Sequence, residues 1–494
     1  MLEPWILVVI LLAYFLLLIG ISYLTSGDAS NDAFFRANRS SKWYLVAFGM
    51  IGASLSGVTF ISIPGVVGAG GVNQNFSYLQ MVMGYLIGYA IIATVLMPIY
   101  YRHNVTSIYE YLDHRLGLSA YKSGAAFFLI SRLIGSAFRM YIVAMVLHEF
   151  VFSHYSIPFW LTVLISIFLI WVYTFRGGIK TIVISDTFQT FCQLGSLVLT
   201  LVFLSERLGM DVFGFLITVM DSPYGKVFHF DNGWSDSNYF FKQLVGGMLI
   251  ALVMTGLDQD MMQKNLTCRN LKEAQWNMFS FSALLFIVNF AFLSLGAGLY
   301  LFAAQENISL PERSDQFFPM IAFEHMSGLV TILFFLGLVA SNYASADSAL
   351  ASLTTSACID FLNFNEDSRP EAVKKKIRTR VHLIFSLLIF VVIVLFYWLN
   401  NDAVVNKIFQ FAGYTYGPIL GLFAFAIGTD REIRHQKYIP LVCILGPVLS
   451  WLISENSAAW MGGFTFGNLL VALNGLICFV GLWMISDKKI PHVL

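Results

Sequence analysis

The chain has little charge. Of 494 residues only 12% are Asp, Glu, Lys or Arg, about half the share found in soluble domains. Its 29 basic and 29 acidic residues cancel to a formal net charge of zero, so there is no electrostatic footprint for nucleic acid. Cysteines are few: Cys192, Cys268, Cys358, Cys443 and Cys478 form no Cys-x-x-Cys pair or Cys/His cluster, which argues against a disulfide framework or a zinc site. The histidines are scattered without HExxH spacing, and GxGxxG, Walker A and GxSxG patterns are absent, so neither an enzyme nor an ATP-driven pump is expected. Low-complexity segments and soluble domains are missing as well. What remains is apolar: 57% hydrophobic and 16% aromatic residues, with a mean hydropathy of +0.73. That composition is expected of a polytopic helical membrane protein.

Hydropathy marks thirteen candidate spans, at about 6–24, 44–66, 78–100, 123–150, 157–174, 180–204, 241–262, 274–303, 327–362, 379–399, 404–427, 438–456 and 466–485, referred to below as spans 1 to 13. The first lacks a basic region before it and reads as a retained span rather than a signal peptide. Lysine and arginine segregate strongly between alternate loops. One side carries only Arg207, Lys226, Lys242, Arg313 and Lys407, while Arg132 and Arg139 lie inside span 4; all other basic residues, through Lys488 and Lys489, fall on the opposite side. This places the N-terminus outside and the C-terminus in the cytoplasm of a cell membrane (the inner one in a Gram-negative organism). Residues 205–240 are then an exterior lid-like segment, and 363–378 a basic cytoplasmic linker read as a solvated loop.

Span 2, WYLVAFGMIGASLSGVTFISIPG over Trp43–Gly65, is long enough to cross a bilayer yet full of Gly, Ser and Thr. Irregular backbone survives in hydrocarbon only where protein or a polar cavity surrounds it, so an interrupted span suggests an ion or solute site near the midplane. The competing reading is a helix whose small residues admit a close neighbour. Span 7 repeats the pattern with Gly246, Gly247, Thr255 and Gly256, followed by Asp258-Gln259-Asp260. Spans 2–6 and 7–11 form two sets of five, and an odd number inverts the second set. The chain therefore divides into an N-terminal extra span with its loop (1–42), a first repeat (43–204), the exterior segment (205–240), a second repeat (241–427) and two C-terminal spans with a short tail (428–494).

Span 9 places Ser341, Ser345, Ser348 and Ser352 on one helix face. Hydroxyls and freed carbonyls are the oxygen ligands a hard cation wants; a small-residue packing stripe is the alternative. Asp347 in the same span and Asp186 in span 6 are acids at membrane depth. Two unpaired carboxylates there would cost about 5–7 kcal/mol, so a cation, a basic residue or a proton must offset them. Arg132 and Arg139, seven apart on one face of span 4, are internal candidates for ion pairs or for an anionic solute.

Four stretches carry a family resemblance: TSIYEYLDHR (Thr106–Arg115), YTFRGGIKTIVISDTFQ (Tyr173–Gln189), DQDMMQKNLTCRNLKEAQ (Asp258–Gln275) and SADSALASLTTSACIDF (Ser345–Phe361). In this order they resemble the sodium/solute symporter family of sodium-coupled sugar, proline, iodide and sialic-acid transporters. The resemblance covers most of residues 43–427. It implies an all-α membrane protein of about 13 helices with a LeuT-type inverted 5+5 repeat core, working by alternating access. Its coupling ion is sodium, and its partners are a small organic solute and membrane lipid, with no obligatory protein partner evident. The family's conserved sodium site maps onto the carbonyls of Gly52, Leu55 and Ser341 and the hydroxyl of Ser345. Ala344 departs from the pattern by lacking a hydroxyl. Asp186 falls at the family acid of a second sodium site, to which Ser345 and the unusual Asp347 would add. Gln410 stands where sugar-transporting members have a glutamine, whereas Thr59 replaces an amide and Met254 an aromatic inner gate, with Asp258 beside it. Ser54, Ser56 and Thr59 resemble the hydroxyl-rich site of sialic-acid transporters, and Gln80, Arg132 and Arg139 complete the candidate solute contacts. A sugar or sugar acid is favoured. Proton-coupled, monocarboxylate and amino-acid symport remain alternatives, as does a solute sensor, which the short tail ending at Leu494 disfavours.

Overall fold

The computed structural model describes residues 3–25, 31–364, 368–399 and 404–487, with side chains at all of these except 31–33, 175–178, 180 and 404–409. Lys488, Lys489 and the side chains of Arg176, Lys180 and Lys407, used above for orientation, lie outside the described residues. Among the described residues ten helices are long and apolar enough to cross a membrane, and two bent helix pairs bring the number to twelve.

Those bent pairs are spans 2 and 7. Span 2 splits into half-helix 2a (Trp43–Ser54) and 2b (Gly57–Val66), 58° apart; span 7 splits into 7a (Phe240–Gly256) and 7b (Gln259–Asn265), 69° apart. Each break lies at the polar, glycine-containing stretch that the sequence singles out. The close-packing reading holds alongside it, at other glycines. A Cβ on Gly247 would stand 2.0 Å from the Met81 carbonyl oxygen, and one on Gly84 2.1 Å from that of Leu244, so 7a and span 3 touch backbone to backbone. Gly247→Ala is expected to cost on the order of 1–3 kcal/mol by forcing the two apart. A lowered melting temperature in detergent would register this; an unchanged one would contradict the contact.

Spans 5 and 6 belong to one stretch of helical backbone, Phe159–Arg207. As a straight rod of 49 residues it would reach about 74 Å, more than twice the hydrocarbon thickness. Its arms instead lie side by side along span 9 (Gly328–Ser356). Ser166 lies beside Tyr343, and Thr174 and Thr354 share His382 at 3.1 and 3.0 Å; further on, Ile182 packs with Ala351, and a Cβ on Gly337 would meet Ser196. The first arm runs with span 9 and the second against it, so the chain reverses between Thr174 and Thr181, where Gly177-Gly178 stands. The shorter apolar arm Phe159–Thr174 falls at the remaining expected span, and Val212–Asp221 in the 205–240 segment is a second short apolar helix.

Span 9 is the centre of the bundle: 78% of its apolar window is buried, against 22% for spans 10 and 12, whose Leu387, Val391, Leu441 and Trp451 are exposed where lipid would cover them. Glu371–Leu399 is a single helix, so the second half of the basic linker is not a loop. Its Arg378 is buried with the guanidinium 4.1 Å from the Phe34 ring centroid, a contact that the linker's composition did not reveal. The 205–240 segment is pinned to the turn before span 3: Asn238 accepts from the Asn73 amide (2.8 Å) and Ser77 hydroxyl (3.1 Å), and donates to the Gly71 carbonyl (2.8 Å).

Candidate functional site

A cavity of about 100 Å³ lies where the two broken spans face span 4. Ser54, Ser56 and Thr59 line it from the break in span 2, Met254 from the end of 7a, and Arg132 and Arg139 from span 4. Tyr78, Tyr85 and Tyr89 form one wall along span 3. Ser54, Thr59, Met254 and Arg139 keep partial solvent exposure, so solvent reaches this depth.

Below Met254 the arrangement closes. The break at Leu257 and Asp258 frees backbone carbonyls, and tyrosines satisfy them: Tyr100 donates to the Gly256 carbonyl and Tyr109 to that of Leu257, each at 2.9 Å. Asp258 caps 7b, its Oδ1 accepting from the Asp260 and Met261 amides at 2.9 and 3.4 Å; its Oδ2 accepts the Tyr416 hydroxyl. Arg132 pairs with Asp260 and lies 4.0 Å from Asp258, and the Ser348 hydroxyl donates to Asp260. Spans 4, 7, 9 and 11 thus meet in one buried ionic cluster on the side away from the 205–240 segment. Arg139, one cavity wall away, takes part in no ion pair among the described residues. The two arginines, equivalent in sequence, are chemically different here.

The residues expected to hold sodium lie on spans 2 and 9, which pack together at the break in span 2. Leu55 and Ser56 lie between the half-helices as their caps, the Leu55 amide donating to the Ile51 carbonyl (2.8 Å) and the Ser56 carbonyl accepting from the Phe60 amide (3.1 Å). The Gly52 amide donates to Thr190 Oγ1 (3.0 Å), while its carbonyl receives only a long contact from Gln193 Nε2 (3.4 Å). Span 9 approaches at the break, with the Ser341 hydroxyl 3.7 Å from where a Gly57 Cβ would sit. Within the serine stripe, Ser341 and Ser352 donate to the Leu338 and Ala349 carbonyls and Ser348 to Asp260. Ser345 is 2% exposed and its hydroxyl has no hydrogen-bond partner. Leaving a buried hydroxyl unpaired costs about 1–3 kcal/mol, a penalty that a bound cation would remove.

Asp186 and Asp347 are both fully buried. Asp186 pairs with Lys264 at 2.6 Å, a residue the sequence reading assigned to a loop. Half-helix 7b carries it inward, and every residue of 7b is buried. Asp347 accepts the Tyr173 hydroxyl at 3.0 Å and the Ser348 amide at 2.6 Å. Two proposed solute contacts stand apart from the cavity lining. Gln80 donates to the Asn238 and Ser77 carbonyls (2.9 and 3.2 Å) and accepts from the His229 amide (3.1 Å), so its amide is spent on the 205–240 segment. Gln410 is exposed, near Tyr414.

A helical bundle with two broken apolar spans bordering a hydroxyl- and arginine-lined cavity has the form of a secondary transporter. The sequence model of the Sodium:solute symporter family matches residues 34–434, and the chain belongs to that family. It is 24% identical over 463 residues to the sodium/sialic acid symporter NanT of Aliivibrio fischeri (strain ATCC 700601 / ES114), covering 92% of this chain and 89% of the relative. It is also 24% identical over 409 residues to the human sodium/iodide cotransporter, covering 80% and 61%. A solved Na+-coupled sialic acid symporter in a substrate-bound, outward-open state superposes with a TM-score of 0.80 at 19% identity, covering 98% of this chain and 99% of the other. The protein is an integral membrane symporter that uses sodium.

Proposed function

We propose that the protein imports a small organic acid, a sugar acid such as sialic acid, together with sodium by alternating access, with its N-terminus outside. The observation that carries this is Arg139: a guanidinium at the edge of a hydroxyl-lined cavity, paired with no carboxylate among the described residues. A solute carboxylate is the partner its planar fork fits. Ser54, Ser56 and Thr59 supply hydroxyls for a polyol chain. The tyrosine wall of span 3 offers faces for the apolar side of a sugar ring. Two sialic acid symporters at 22–24% identity support the same class.

Sodium supplies the drive. Gly52, Leu55 and Ser341 would offer carbonyls and Ser345 its hydroxyl, beside the solute cavity, so that filling one site favours the geometry of the other. Each charge moved across 100 mV is worth about 2.3 kcal/mol, roughly a fifty-fold accumulation. Ser345→Ala should raise the sodium concentration for half-maximal transport well above that of Ser352→Ala, because only Ser345 lacks a partner within the helix. Equal effects would favour a packing stripe.

Counterflow in proteoliposomes against sugars, sugar acids, amino acids and monocarboxylates tests the substrate. A sugar acid should exchange best. A neutral sugar exchanging better than its acid analogue would overturn the anionic reading.

A further inference from the structure

Asp186, Asp347 and Lys264 are all buried, and Asp186 and Lys264 form an ion pair. The Lys264 Nζ lies 2.6 Å from Asp186 Oδ2, with side chains 1% and 0% exposed. Half-helix 7b, which carries Lys264, is bonded through Asp260 to Ser348, the residue next to Asp347. Lys264 reaches this point from 7b, the short half-helix after the second break, where the backbone on either side is buried. The ammonium is a compact point charge on a flexible stem, and buried here its stem has no route to water. Of the acids expected around a second sodium ion, Asp186 therefore already faces a cation the protein owns.

We infer that the Lys264 ammonium fills the second cation position, so that this symporter binds one sodium ion rather than two. The inference rests on the sodium-coupled reading above. The one sodium ion is then the one held at the break in span 2 by Gly52, Leu55, Ser341 and Ser345, whose hydroxyl is buried without a hydrogen-bond partner among the described residues. A second sodium ion would have to displace Lys264 from Asp186 and leave the ammonium buried without an acid. Because the ammonium is tethered to 7b, its charge moves with the second repeat and is never exchanged with solvent. The driving force per cycle is then that of one ion.

Equilibrium binding of radioactive sodium to the purified full chain in nanodiscs tests this directly. Wild type should bind one ion per protein. Lys264→Met should bind two, with a Hill coefficient that rises above one, and Lys264→Arg should stay at one because it keeps a cation in place. Two ions on the wild type, or one ion on a folded Lys264→Met protein, would overturn the inference while leaving sodium coupling intact. Should Lys264→Met fail to fold, the wild-type count decides alone. No sodium on the wild type would instead remove the sodium-coupled reading itself.

Discussion

Arg139→Gln is expected to weaken binding of an acidic solute at least thirty-fold. Removing one partner of a buried, hydrogen-bonded charge pair costs about 2–5 kcal/mol, and each 1.4 kcal/mol is a factor of ten. Arg139→Lys should fall between the variant and wild type, since the charge remains while the bidentate fork is lost. The protein's own stability should change little, because Arg139 takes part in no ion pair among the described residues. Affinity for a neutral analogue of the same solute should also hold. Equilibrium binding of the acid and its neutral analogue to the three proteins separates these outcomes. Equal losses for both ligands would mean that Arg139 shapes the cavity without reading the carboxylate.

Arg132 should behave in the opposite way. Its guanidinium joins Asp260 and Asp258, which also engage Ser348 and Tyr416. Arg132→Met would leave two aspartates buried without their counter-charge, at a cost of about 3–5 kcal/mol. The melting temperature should fall sharply, and Asp260→Asn in the same chain should recover part of the loss, since it removes the charge left unpaired. The cluster borders the cavity, whose lining includes Arg132. Ser131 lines a small cavity beside it, together with Met254 and Tyr416. A cysteine at Ser131 should react with a membrane-impermeant thiol reagent from the cytoplasmic side in Arg132→Met and stay protected in wild type. A double variant no more stable than Arg132→Met alone would contradict the pairing.

The breaks in spans 2 and 7 were legible because they are local. Small polar residues interrupt an apolar run, and the backbone must bend where its carbonyls find ligands or tyrosine hydroxyls. The thirteen apolar segments were legible for the same reason. The partners of the buried charges were not. Lys264 and Asp186 are 78 positions apart, and Arg132 and Asp260 are 128 apart. Hydropathy counts Lys264 as a loop charge because 7b is too short to register as a span. The signal available was the polar run from Asp258 to Asn265 following a glycine break, which suits a half-helix folded into the protein better than a solvated loop. Nor could sequence divide the roles of Arg132 and Arg139. They share a helix face, and only the position of the 7a–7b junction decides which one meets the aspartates. Gln80 misleads for a related reason: an amide in an apolar run suggests a ligand contact, yet here it ties down the 205–240 segment.

The most direct test of the account is concentrative uptake of a sugar acid into proteoliposomes under an inward sodium gradient and an inside-negative potential. The account predicts accumulation above the external concentration with sodium, and only equilibration when choline replaces sodium, even with an inward proton gradient imposed. Accumulation that persists in choline would contradict it.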